Sequence, residues 1–134
     1  MSLKNFTKRY AIKMLLKILD CAKGQVRIIC YYDDDVTPGL EYVYKKGNLI
    51  KECRYSSEGN IQTIYRYNKG CIYETITFHQ NGNVKSLEIK EPSMPKPAVF
   101  EWDSNGHQVF CAPVGTGITD KDALKIVKEG VRRI

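Results

Sequence analysis

Apolar and polar positions follow two rhythms along this chain. Between Asn5 and Ala22 no Gly or Pro interrupts the run, and Gly24 stands just beyond it as a stop signal. At about 100° per residue, Arg9, Lys13, Lys17 and Asp20 fall on one narrow stripe. Tyr10, Ile12, Met14, Leu15, Leu16, Ile18 and Leu19 fill most of the remaining arc. This predicts a helix over residues 5–22 that protein covers on most sides. From Gln25 to Cys111 the period drops to two, β-branched and aromatic residues dominate, and glycine punctuates.

The second region repeats itself. Gly47, Gly59, Gly70 and Gly82 recur every 11 or 12 residues, and residues 44–64 lie over 67–87 without a gap. Tyr44 meets Tyr67, Lys46-Gly47 meets Lys69-Gly70, and Cys53 meets Ile76. Tyr55 meets Phe78, Gly59-Asn60 meets Gly82-Asn83, and Ile61 meets Val84. A partial copy follows at Trp102, Asn105 and Gly106, and a degenerate one precedes at Tyr32–Asp35, with Val36 at its glycine position.

Each unit reads as two strands and two turns. The turns at Ser57–Asn60 and Gln80–Asn83 call for a glycine at positive φ, and the Lys-Gly pairs mark the alternate turns. Strict alternation puts Leu49, Cys53 and Tyr55 on one face, with Ile72, Ile76 and Phe78. Glu52, Arg54, Thr75 and Thr77 then take the other. The apolar face needs a cover, for which Met14, Leu15, Ile18 and Leu19 are the candidates.

A second helix closes the chain. Thr119–Asp122 has capping-box spacing, and Leu124, Val127, Val131 and Ile134 follow at helical intervals. The segment from Glu91 to Pro97 reads as a proline-rich excursion between strands. The expectation is a single α+β domain over residues 1–134. It comprises a helix at 5–22, an antiparallel β-meander of repeated hairpins at 25–111, and a helix at 120–133.

The segment Phe78-His79-Gln80-Asn81-Gly82-Asn83-Val84-Lys85, with Tyr55–Ile61 and Trp102–Val109, resembles the MORN-variant repeat. It looks like the type found in bacterial YwqK-family antitoxin-like proteins. The likeness covers roughly residues 40–110 and leaves out both flanking helices. It implies a hairpin sheet that offers a surface to another macromolecule, in some cases a toxin. The extra glycines of the MORN repeat that is linked to lipid binding are missing.

Composition narrows the function classes. A net charge of +6 tilts the partner list toward acidic surfaces. The five cysteines form no C-x-x-C pair, and most sit in apolar runs. Buried free thiols in a reducing, cytoplasmic compartment are expected. No apolar run approaches the roughly 20 residues of a membrane span. Lys13 and Lys17 interrupt the N-terminal apolar stretch, so it does not read as a signal peptide.

Catalytic chemistry finds no constellation. His79 and His107 fall at repeat turns, and His107 stands four strand residues from Cys111, about 13 Å away. No Cys/His spacing suits a metal, and no cofactor motif occurs. Asp33, Asp34 and Asp35 read either as a solvated turn or as a cation or basic-partner contact. Gly115-Thr116-Gly117 lacks a phosphate-loop pattern and reads as a loop-to-helix junction.

Tyr42, Tyr44, Tyr65, Tyr67 and Tyr73 interleave with Lys45, Arg54, Arg66 and Lys69. Such a pattern serves sheet packing, a protein interface or nucleic-acid stacking. Three classes follow: a protein-binding module of immunity or antitoxin type, a nucleic-acid-binding or phage-type regulator, and a small enzyme without a credible site. The expected partner surface is the polar sheet face with Arg54, Arg66 and Tyr73. The basic stripe of Arg9, Lys13 and Lys17 is the alternative surface.

Overall fold

The computed structural model describes residues 14–20, 24–112 and 117–132. The strands are β1 (Met14–Asp20), β2 (Gln25–Tyr31), β3 (Pro38–Lys45), β4 (Asn48–Tyr55), β5 (Ile61–Asn68), β6 (Cys71–Phe78), β7 (Val84–Ile89), β8 (Ala98–Trp102) and β9 (Gln108–Ala112). Helix α1 spans Asp120–Val131. The chain divides into two compact units between Gln62 and Thr63. In the first, β1 to β4 pair antiparallel in succession. In the second, β5 to β9 do the same.

The N-terminal helix is a correction. Met14–Asp20 is a strand, paired from Met14↔Cys30 to Asp20↔Gln25. Residues 5–13, with Arg9 and Lys13, lie outside the described residues, as do residues 21–22. A run that is apolar on nearly all sides suits a strand as well as a helix, so cross-strand pairing decides between them. The expectation that Met14, Leu15, Ile18 and Leu19 cover a sheet face as a helix therefore does not hold.

The turns follow the repeat. Lys46 (φ 51°) and Gly47 (φ 79°), and Lys69 (φ 50°) and Gly70 (φ 79°), make two-residue hairpin loops with both residues left-handed. Gly59, Gly82 and Gly106 have φ of 88°, 92° and 90°. In each of these turns the glycine N–H donates three residues back, to Ser56, His79 or Asp103. The N–H of that same residue donates four residues on, to Asn60, Asn83 or His107. The degenerate first turn sits one position off the expected alignment. Its left-handed residue is Asp35 (φ 61°), not Val36, and Tyr32 N–H reaches five residues on, to Thr37.

One irregularity changes which residues share a face. Val43 pairs with Lys51 but Tyr44 with Leu49, so Ile50 is an extra residue in β4. Arg66 pairs with Glu74 but Tyr67 with Ile72, so Tyr73 is extra in β6, at the equivalent repeat position. Such a bulge breaks strict alternation. Ile72 consequently leaves the face of Ile76 and is 41% exposed. Leu49 is likewise separated from the face of Cys53 and Tyr55.

The core of the second unit is centred on one row across four strands. Ile64 pairs with Ile76, Ile76 with Leu87, and Leu87 with Phe100. All four are essentially fully buried. Each contributes about 1.5–3 kcal/mol of transfer free energy. Phe78, expected in this core, is only half-buried.

Helix α1 lies over the same face. The capping box holds: Thr119 Oγ1 accepts from Asp122 N–H at 3.1 Å, and Thr119 N–H donates to Asp122 Oδ2 at 3.2 Å. The buried residues of the helix are Ala123, Val127 and Gly130, whereas Leu124 and Val131 are exposed. The inward stripe is thus rotated from the one predicted. Gly130 is the reason, because a Cβ there would collide with Ile76 Cδ1. Trp102 Nε1 donates to Asp120 Oδ1 at 3.1 Å and ties the other end of the helix down.

Candidate functional site

The sheet of the second unit has two unlike faces. Cross-strand partners share a face, so the covered side also carries Arg66, Glu74, Ile89 and Ala98. The opposite side carries the rows Thr63–Thr77–Ser86–Glu101–Phe110 and Tyr65–Thr75–Glu88–Val99–Ala112. None of those ten residues is buried. Thr77 Oγ1 and Ser86 Oγ share a hydrogen bond. Glu88 and Glu101 are exposed, with no ion-pair partner among the described residues.

Arg66 and Tyr73 do not sit on that open side. Arg66 pairs with Glu74 at 2.8 Å, and its guanidinium carbon lies 5.5 Å from the Tyr73 ring centroid. Burial pushes the Glu74 carboxyl up, against the opposing pull of Arg66 and with Glu129 of α1 adding to the rise. Burial also raises the Tyr73 hydroxyl. The Arg66 stem runs beside Gly130. These residues make a helix-docking cluster, where the predicted polar face would have left them open. The bulge is the cause, because the extra residue Tyr73 joins the side of Arg66 and Glu74.

Arg54 belongs to the first unit. It is half-exposed and bonds the buried Glu52 at 2.8 Å. On the same side, Cys30 and Tyr32 pack with Ile28, Leu40 and Tyr42. Burial raises the Tyr42 hydroxyl, helped by the Glu52 charge. Lys17 is in β1, opposite Arg27. Arg9 and Lys13 lie outside the described residues.

The other sequence candidates resolve into structure. Asp34 Oδ1 accepts from Val36 and Thr37 N–H at 3.1 and 2.9 Å, and Oδ2 accepts from Thr37 Oγ1. Those bonds, led by the Thr37 hydroxyl, hold its carboxyl below the usual range. Asp34 is therefore bonded back into its own turn, while Asp33 Oδ1 is buried with no hydrogen-bond partner among the described residues. His79 Nε2 donates to the Trp102 carbonyl at 2.8 Å. His107 Nδ1 lies 3.5 Å from Asp103 Oδ2. Asn81 and Asn83 both donate to the Ser104 carbonyl, lacing one turn to the next. Among the described cysteines, Cys30 and Cys53 are buried thiols as expected, whereas Cys71 and Cys111 are exposed.

Among the described residues no cluster of His, Cys, Asp and Glu could hold a metal ion. None of the described helices is long and apolar enough to cross a membrane. Sequence reasoning passed over Val109 and Phe110, which are 63% and 48% exposed on β9. The signal was present: Gln108–Ala112 is an uncharged stretch after the last repeat copy, ending the meander. No protein-family model matches the chain, and no curated protein matches it in sequence.

Proposed function

We propose that this chain is a non-catalytic binding protein that engages a protein partner through the open sheet face of its second unit. The observation behind this reading is the asymmetry of that sheet. Helix α1 occupies one side, and the other keeps hydroxyls, Tyr65, Phe110 and two glutamates turned outward. Repeat scaffolds keep their core and vary such faces, and tyrosine and other aromatics are enriched at protein interfaces.

The same observation weighs against nucleic acid as the partner of this face. Its exposed charges are Glu88 and Glu101, while Arg66 is tied to Glu74 beneath the helix. The net charge of +6 is the support for the nucleic-acid alternative. The likeness to antitoxin-like repeat proteins extends the reading to a partner that is held inactive, as a toxin is by its immunity protein. Free cysteines suit a reducing, cytoplasmic setting.

The test is affinity capture from the native host with three baits. Wild type and Arg66→Ala should retain one protein of defined stoichiometry. The pair Thr77→Lys and Glu101→Lys, which leaves the core row untouched, should lose it. Retention by the Lys pair would put the partner elsewhere. Capture of nucleic acid with a steep salt dependence would favour the alternative.

A further inference from the structure

We propose that the partner adds an extended segment to the free edge of β9 and places a basic side chain over Phe110 toward Glu101. This rests on binding at the open face and names how the partner is held there. Among the described residues, β9 is the last strand in the order and pairs only with β8. A free edge offers unpaired N–H and C=O groups to an incoming strand. Natural edges are guarded by charges, proline or bulges; Gln108–Ala112 carries no charge and no proline, and its one extra residue, Val109, precedes Phe110. Residues Gln108 to Cys111 are all exposed, including the apolar Val109 and Phe110.

Charge complementarity selects the occupant. Phe110 and Glu101 are direct cross-strand partners on the open face, and Glu101 has no ion-pair partner among the described residues. An added strand would lie about 5 Å outside Phe110 and about 10 Å from the Glu101 strand. An arginine there stacks on the exposed ring and extends toward the carboxylate. A second copy pairing its own β9 there presents the same uncharged strand and supplies no cation for Glu101. An extended segment of another protein, with a basic residue on that face, answers both features.

The probes are two blocked heptapeptides of alternating Thr and Val, one with Arg at its centre and one with Glu. Amide shifts and hydrogen exchange of the full chain are followed by NMR. The Arg peptide should shift and protect amides of residues 108–112, and bind at least tenfold more tightly than the Glu peptide. Glu101→Gln should bring that ratio below threefold, and Phe110→Ala should weaken the Arg peptide. Both positions are exposed, so the fold should hold. Equal affinity of the two peptides, absence of binding, or protection on α1 would overturn the proposal. Protection of β9 that rises with protein concentration alone would replace the segment with a second copy. A captured partner that shifts Tyr65, Thr75 and Thr77 without protecting β9 would overturn strand addition and leave open-face binding intact.

Discussion

In the hairpin of β3 and β4, Val43 stands opposite Lys51; at the equivalent positions of β5 and β6, Arg66 stands opposite Glu74. Both hairpins turn on a left-handed Lys-Gly pair, and both carry one extra residue just before that turn's far strand settles into register, Ile50 in one and Tyr73 in the other. The backbones match while the side-chain work differs. In the second hairpin, Arg66, Tyr73 and Glu74 gather beneath a helix, and Ile76 carries a core row. In the first, Cys53 holds the place of Ile76. Turn chemistry and register are thus inherited by the repeat, whereas each copy's side chains answer to whatever covers them.

The difference in core load gives the largest expected effect. Ile76→Ala should cost about 3–4 kcal/mol, since the side chain is fully buried in a continuous row. Cys53→Ala, at the same repeat position, should cost about 1 kcal/mol, because only one sulfur is removed. Urea denaturation of both variants reads the contrast. Equal losses would mean that the two hairpins carry their cores alike.

Among the described residues only the second hairpin receives a helix, and Gly130→Val tests how it is seated. A side chain there meets Ile76, so the variant should lose about 2–3 kcal/mol or release α1 from the sheet. Trp102 fluorescence should report the release, because its indole N–H is bonded to Asp120 at the start of that helix. An unchanged spectrum and midpoint would show that the helix can shift without cost.

Glu74 separates the hairpins by pH. Its folded carboxyl titrates above its ordinary value, chiefly through burial. Folding therefore favours the protonated form, and this contribution is fully present below the unfolded value of about 4.3 and is lost as pH rises through the folded one. Glu74→Gln should abolish that decline, so the stability of the variant relative to wild type should improve as pH rises above about 4. The reverse trend would mean that the Arg66 ion pair outweighs burial.

The smallest effect should be the same in both copies. Lys46 and Lys69 adopt left-handed backbone at the first loop position, where asparagine is preferred. Lys46→Asn and Lys69→Asn should each raise stability by about 0.5 kcal/mol, read as matching rises in thermal midpoint. Unequal gains would show that the loops differ in ways their dihedral angles do not reveal.

Local chemistry determined much of this molecule from the sequence alone. Glycine and Lys-Gly positions announce the turns because few residues tolerate positive φ, and Thr119 with Asp122 announces the start of α1 because orphan N–H groups need an acceptor there. Other features were decided only by tertiary structure. Met14–Asp20 is apolar on nearly every side, so its local pattern leaves helix and strand open, and the pairing with β2 makes it a strand. The bulges at Ile50 and Tyr73 reverse the alternation that would have put Ile72 in the core and Arg66 on an open face. A single inserted residue is invisible to a period-two reading, yet it exchanges the faces of every residue beyond it. For that reason the turns could be read from the chain, but the face left open to a partner could not.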